Sequence, residues 1–305
     1  MKNEMSWHLY SLTFRLSSPL HVGFHKVMHL SRTRAYVPAK PLWGALTARL
    51  TREMELLDYV EVGNFLKEIM RFGYFYIFDG ENLYMPKYTD EGLKFGNLLK
   101  FEFEKKFISS MASASIEPYS LTAEEGMLHQ VEFINPHVIN DEGKITPVFL
   151  RGLIWISEKG KFSVELSEDD FFIEGVKFSD LANTLQIGGE KKYGFGRLKL
   201  EELVKVGDRN LNQLRFEGEW REEEGELVLK MRKDSCVWSH VRCNTNLKMK
   251  GEIEPVVGRD WGKRGPGREV KNHGLCWLPG SVLLENSDFR ITGDSGLWEL
   301  KDRKS

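Results

Sequence analysis

The chain is short of cysteine, of net charge and of long apolar runs, and each shortage removes a class of protein. Three cysteines among 305 residues are too few for a disulfide framework, and an odd number in a mid-sized chain fits a reducing compartment. No apolar run approaches the roughly 18 residues of a membrane-spanning helix. The N-terminus lacks the charged and apolar regions of a signal peptide, so the cytoplasm is the expected location, with no membrane partner. A formal net charge of −2 excludes a globally basic nucleic-acid binder, and any such binding must be local, with acidic surface elsewhere. What is present, 41% hydrophobic and 29% charged residues, describes a globular chain able to bury a core as one large domain or two ordinary ones.

The richest local pattern is Ile187-Gly188-Gly189-Glu190-Lys191-Lys192-Tyr193-Gly194-Phe195-Gly196-Arg197. Its glycines allow tight turning, positive φ and close approach of backbone to a ligand. Lys191, Lys192 and Arg197 put charge beside bare amides, and Tyr193 and Phe195 offer faces on which a base could lie. A P-loop would need Lys-Ser/Thr after the last glycine, and a dinucleotide fingerprint would need a strand before and a helix after. Here 178–186 reads as a short helix with Ser179 as N-cap and 198–204 as a strand, so the order is reversed. A phosphate-rich polymer suits the loop better than a mononucleotide. The bland reading is a glycine-rich helix-to-strand turn with solvated lysines.

Along the chain, Trp7–Leu16 alternates, with Tyr10, Leu12, Phe14 and Leu16 on one face, which predicts a half-buried first strand. Residues 24–37 show no clean period and hold His25, Lys26, His29, Arg32 and Arg34, which reads as a basic loop. Leu42, Trp43, Leu46, Leu50 and Met54 then follow at helical spacing, with Pro41 in the first turn, where its missing N–H costs nothing. A second helix over 63–72, a strand over 74–78 and a turn at 79–82 come next. In 87–115, lysines 94, 100, 105 and 106 interleave with phenylalanines 95, 101, 103 and 107. That predicts either a projecting hairpin lying along a nucleic acid or an ordinary edge strand. Two strands, over 127–134 and 148–156, lead to the glycine-rich stretch. The order of strand, helices, strands, helix and strand is that of an α+β, ferredoxin-like βαββαβ sheet with insertions.

Several of these stretches carry a family resemblance. Pro19-Leu20-His21-Val22-Gly23, the run Val37-Pro38-Ala39-Lys40-Pro41-Leu42-Trp43-Gly44-Ala45-Leu46 and the glycine-rich loop resemble the repeat-associated mysterious protein (RAMP) superfamily of CRISPR effector and processing proteins. The segment 122–134 is similar to one found in type III complex subunits, and Leu275-Cys276-Trp277-Leu278-Pro279-Gly280-Ser281-Val282 to the ending of the subunit that caps the crRNA 5′ handle. The resemblance implies an RRM-related scaffold that binds crRNA within a multi-subunit complex. Its expected partners are a large polymerase-like subunit, backbone RAMP subunits and, indirectly, target RNA. It carries Gly188, Gly189, Lys191, Lys192, Tyr193, Gly194, Gly196 and Arg197 over as RNA contacts, with His21, Lys40 and Trp43 as weaker ones. Family subunits that cut target RNA carry an acidic residue after the first strand. Between Ser17 and Lys40 this chain has none.

Two other chemistries compete. His21, His25 and His29 are spaced by four, would share a face of a helix or a strand, and lie where the superfamily's metal-independent repeat endoribonucleases keep a histidine; no second acid-base group stands at a fixed spacing. Cys236, His240, Cys243, His273 and Cys276 could supply zinc ligands. But Cys236 to Cys243 reads as an alternating strand with Cys243 facing away, and no Cys-x2-Cys pair occurs. Buried free cysteines are favoured, and no metal or cofactor is expected. Past 204 the composition shifts, so the reading is a RAMP domain over 1–204 and a smaller β-rich region, or a degenerate second ferredoxin-like half, over 205–305. The run 217–226 holds six glutamates against one arginine and reads as a solvated hairpin end. In 258–274, by contrast, Arg259, Lys263, Arg264, Arg268 and Lys271 face two acids among five glycines, which predicts a mobile basic loop; Arg259, Arg264 and Arg268 are added as RNA contacts.

Overall fold

The computed structural model describes residues 6–54, 58–122, 127–140, 142–160, 163–207, 210–262 and 265–301. In chain order the elements used below are β1 (Trp7–Leu16), β2 (Gly23–Val27), β3 (Leu30–Thr33), α1 (Ala39–Glu53), α2 (Tyr59–Ile69) and β4 (Phe75–Phe78). Next come α3 (Lys100–Phe107), β5 (Ile108–Ser113), β6 (His129–Ile134), β7 (Phe149–Ser157), α4 (Phe178–Ala182), β8 (Thr184–Gln186) and β9 (Arg197–Val206). A long ribbon, β10 (Ile253–Gly262) and β11 (Gly265–Trp277), belongs to the C-terminal third.

The main sheet runs β8-β9-β1-β7-β4, with Tyr36–Val37 at its edge. Each of the neighbours β9, β1, β7 and β4 is antiparallel to the next. With α1 and α2 between β1 and β4, and α4 between β7 and β9, this is the ferredoxin-like order of fourth, first, third and second strands. Helix α1 forms because Ala39, Leu42, Trp43, Leu46, Thr47 and Leu50 fall on one face and are buried together, as an amphipathic period requires. Asp58 caps α2, its carboxylate accepting from the Val60 and Glu61 amides at 2.8 Å each, which satisfies two of the free N–H groups of the first turn.

β1 is not half-buried: Leu9, Ser11 and Thr13 are as enclosed as Tyr10, Leu12 and Phe14. Phe178 of α4 stacks on Phe171, which packs on Tyr10, so this helix covers one face. The C-terminal region covers the other, where Trp155 of β7 stacks on Trp238 at 5.9 Å and the Tyr76 hydroxyl donates to the Trp238 carbonyl at 2.5 Å. That region holds a seven-stranded sheet of its own, which includes the ribbon. The buried core is continuous between the two parts. Glu222, in the acidic run, accepts from the Ser6 amide and hydroxyl at 2.7 and 2.8 Å; it ties the hairpin end to the start of β1 instead of being solvated.

Five local expectations are corrected. Residues 24–37 are not a loop: β2 and β3 form a hairpin, and β3 pairs in parallel with β6. Every residue of β2 is exposed, so no apolar period marked it. The second helix begins at Tyr59 and gives way to a strand at Met70. Residues 100–107 are helical, neither hairpin nor edge strand; Phe103 and Phe107, four apart, are buried, and Phe103 stacks on Phe95 at 4.2 Å, while Phe101 is exposed. Helix α4 stops at Ala182, its N-cap is Lys177 rather than Ser179, and Leu185 instead pairs with Leu198 across β8 and β9. In the cysteine stretch only Val241–Arg242 is strand.

Candidate nucleic-acid interface

Because Gln186 pairs with Arg197, the glycine-rich stretch is the tip of a β-hairpin, not a helix-to-strand turn. Most of its glycines serve internal packing. Gly188 and Gly196 have φ of +79° and +76°, and a Cβ there would lie 2.3 Å from the His21 carbonyl oxygen and 1.8 Å from that of Ile187. The loop is laced to 17–21: the Gly189 amide donates to the His21 carbonyl at 2.8 Å, Gly196 to Pro19 at 2.7 Å and Arg197 to the Ser18 hydroxyl at 2.9 Å. The amides of Tyr193 and Gly194 are also engaged within the turn. Three consecutive amides, of Glu190, Lys191 and Lys192, have no protein partner among the described residues. Glu190 is left-handed, with φ of 52°, and a 3-10 turn over Lys191–Tyr193 follows it. Successive amides turned this way form a concavity suited to an anion. Gly194 stands clear, with nothing within 4 Å of a built Cβ.

This loop borders a groove of about 1320 Å³. One wall is Gly188 to Lys191 with His21 to Phe24, and the start of α1 with Lys40 and Trp43 adjoins it. The opposite wall is the ribbon, with Arg259, Asp260, Gly267 and His273, together with Ser295 and Leu297. Tyr59, Tyr74 and His240 also line it. The fold therefore brings two stretches singled out in the sequence, the glycine-rich loop and the basic glycine-rich segment near the C-terminus, to one cavity. That segment is not a loop but two paired strands, with Val257 opposite Asn272 and Arg259 opposite Val270.

The predicted site residues fare differently. Lys191 lines the groove with much of its surface open, but its ammonium is partly withdrawn from water by the groove wall, which lowers its pKa. Lys192, Arg197 and Tyr193 are exposed on the same loop, Tyr193 at 71%, outside the groove lining. Phe195 offers no stacking face, since it is buried against Phe133 at 5.5 Å. Trp43 is 4% exposed and donates to the Gly63 carbonyl at 3.3 Å, with the Lys40 ammonium 3.9 Å from its ring centre. Lys40 is itself held by Asp260 at 2.6 Å and Asp294 at 2.9 Å. Lys67 and Lys271 also reach Asp294, each at 3.6 Å. Burial opposes the charge on Asp294, but the three lysines outweigh it and hold its pKa well below the ordinary value. Lys40 is thus a latch between α1 and the ribbon, not a free cation. Arg259 donates across the ribbon to the Gly267 carbonyl at 3.1 Å, and Arg268 is exposed outside the groove lining. Arg264 and Lys263 lie outside the described residues.

The three histidines do not share a face. His21 is buried, its Nδ1 2.7 Å from the Glu132 carbonyl oxygen, whereas His25 and His29 are exposed on the β2–β3 hairpin. Cys236 and Cys276 are buried thiols, and burial pushes them up to about 12 and about 11. The histidine of that stretch has another use, which the sequence did not reveal. His240 is enclosed, with Nδ1 2.8 Å from the Tyr74 hydroxyl and Nε2 2.7 Å from a Glu254 carboxylate oxygen. Arg34 reaches the same oxygen at 2.7 Å and the Tyr36 hydroxyl at 3.0 Å. Burial depresses the His240 pKa. Burial works against the Glu254 charge, but His240 and Arg34 outweigh it and hold that carboxyl below its ordinary value. This network joins the ferredoxin-like sheet to the ribbon at the groove, between residues too far apart in sequence for any local pattern to mark them.

A ferredoxin-like sheet carrying a basic loop beside a long groove defines a class of scaffold on which RNA-binding proteins are built. The model of the RAMP superfamily matches residues 13–199, and the chain belongs to that superfamily. One chain of the type III-B Cmr-beta complex bound to cognate target RNA and AMPPnP is similar in fold, with a TM-score of 0.51 at 13% identity over 90% of this chain and 85% of its own. A chain of Cmr-beta bound to cognate target RNA gives 0.49 at 11% identity over 90% and 86%. No curated protein sequence matches.

Proposed function

We propose that this chain is a non-cutting, crRNA-binding subunit of a type III CRISPR interference complex, and that the guide strand lies in the groove between the glycine-rich loop and the ribbon. The observation that carries this is the convergence of the unpartnered amides of Glu190 and Lys191, the Lys191 side chain and Arg259 on one cavity of about 1320 Å³. Backbone amides and lysines recognise phosphates without reading sequence, which suits a subunit that accepts any guide. Family membership and the fold shared with a Cmr-beta chain support a place in such an assembly. Its partners there would be a polymerase-like subunit and backbone RAMP subunits, and the handle end of the guide is the position favoured by the 275–282 motif. Cleavage is disfavoured because no acidic residue stands between Ser17 and Lys40 and because, of the three histidines, His21 is buried with its Nδ1 on the Glu132 carbonyl while His25 and His29 lie exposed on a separate hairpin.

Binding of a short single-stranded RNA should weaken with salt, and Lys191→Ala with Arg259→Ala should flatten the log–log slope by about 0.7 for each phosphate that is no longer neutralised. An unchanged slope in the folded variant would remove the groove from the interface. The parent should leave a repeat RNA intact in EDTA at neutral pH. A single product ending in a 2′,3′-cyclic phosphate, lost in the His21, His25 and His29 triple alanine variant, would replace the binding role with catalysis.

A further inference from the structure

Three histidines line the groove, His21, His240 and His273, and they differ in what their rings already hold. His21 has Nδ1 on the Glu132 carbonyl, and His240 has one nitrogen on Tyr74 and the other on Glu254. His273 is 8% exposed, yet neither of its ring nitrogens has a hydrogen-bond partner among the described residues, and neither is sealed from solvent. Register explains the opening. Gly258 pairs with Lys271 across the ribbon, which sets the ring of His273, two residues on, diagonally beside Gly258. A Cβ at 258 would lie 3.3 Å from Nε2, so the glycine leaves uncovered a nitrogen that any side chain would crowd. Gly258 itself lines the groove, and Nε2 meets the groove there. The charges around this ring do not balance. Lys40 of α1, Lys67 of α2 and Lys271 of β11 share two carboxylates, Asp260 of β10 and Asp294, which leaves one positive charge unmatched. Arg242 also faces the ring and is matched by Glu299 at 2.9 Å. Burial first, then Lys271, with Arg242 and Lys40 behind, lower the pKa of His273 against the pull of Asp294, so the ring is largely neutral at pH 7 in the unliganded chain.

We infer that His273 is a proton-linked phosphate contact: as a strand enters the groove the ring takes up a proton and grips a backbone phosphate, so that RNA binding tightens as pH falls. The inference rests on the groove being a strand-binding site. An anion is the ligand that answers both observations, since it offsets the unmatched positive charge and accepts a charge-assisted hydrogen bond from the open nitrogen. A base edge could accept the same bond but would leave the charge unmatched. The proton comes from solvent onto a ring nitrogen, and no covalent bond of the RNA changes. The sign follows from linkage. A phosphate beside the ring favours imidazolium, so the bound ring titrates at a higher pH than the free one, and between those two values binding takes up a proton. Affinity there rises as pH falls, by at most about tenfold per pH unit for one proton. Above the bound-state value the gain is absent, and below the free-state value it is complete.

The test measures binding of oligouridylate, whose bases do not titrate between about pH 6 and pH 8, to the full chain by fluorescence anisotropy at constant ionic strength, with near-ultraviolet circular dichroism confirming the fold at each pH. The parent should bind about threefold or more tightly at pH 6 than at pH 8. His273→Gln keeps a polar side chain but cannot take up the proton, and it should lose that gain while keeping the salt dependence. NMR of the His273 ring in the parent, assigned through the backbone, should show its titration move to higher pH when RNA is added. That readout needs no variant, and a residue that merely supports the ribbon would not move it. An equal pH dependence in His273→Gln, or a ring whose titration RNA leaves in place, overturns the inference and leaves the groove standing. If no strand binds at any pH, the groove reading falls and takes the inference with it.

Discussion

Gly194 and Gly196 both hold left-handed backbone, but only Gly194 has room for a methyl group. Alanine at 194 should therefore cost only the conformational term, about 1–2 kcal/mol. Alanine at 196 adds a collision with the Ile187 carbonyl and should cost clearly more, about 3 kcal/mol or above, because the backbone of β8 and β9 must part. Urea unfolding of the two variants checks this; equal losses would mean that the loop is not fixed by that contact. Two histidines set a second residue-scale expectation. Burial holds the folded-state pKa values of His240 and His273 below 6.5. The unfolded chain therefore gains protons first as pH falls through 6.5, and stability present above that pH is lost below it. The slope can reach at most about 1.4 kcal/mol per pH unit for each histidine. Unfolding at pH 7.5 and 5.5 should show the loss, and His240→Gln should reduce it; an unchanged difference would assign the sensitivity elsewhere. A further loss below pH 4 should follow as Glu254 and Asp294, both held below their ordinary values, take up protons.

Among the elements, β1 and α1 were legible because each carries its own period, two residues in one and 3.6 in the other, in side chains that the fold then buries. The ribbon was not. Its inner partners are ionic, with Asp260 on Lys40 and Lys271 on Asp294, while Val257 and Val270 remain exposed, so no apolar alternation separates it from a loop. Of the hairpin or edge strand expected over 87–115, Pro86–Thr89 and Gly92–Phe95 do pair, but Lys100–Phe107 is helical; that part was misread for the converse reason, since Phe95, Phe101, Phe103 and Phe107 imitate a two-residue period although only some face inward. The ionic seam predicts its own behaviour. Asp294→Asn leaves Lys40, Lys67 and Lys271 repelling one another around a neutral amide, a loss of about 3–5 kcal/mol if the site stays dry and less where water enters. Amide exchange in 253–262 and 267–277 should quicken while β1 keeps its protection. Uniform acceleration across both would indicate global destabilisation instead of release of the ribbon.

At the scale of the whole molecule, a nearly neutral chain brings the exposed Lys191 and Arg259 to one groove and neutralises another cation that looked available there, Lys40. The family and the ferredoxin-like order could be read from short motifs, because these are local. The groove could not, since His21 and Leu297 belong to its lining and only the folded chain brings them together. That separation also sets a time. During synthesis at about 5–20 residues per second, the glycine-rich wall exists for several seconds or more before Ser295 and Leu297 can complete the opposite side. Ribosome-stalled chains ending at 250 should accordingly release a labelled RNA that stalled full-length chains retain. On the proposed reading, RNA is held only once residues 295–297 have been made, and a chain stalled before them cannot compete for it.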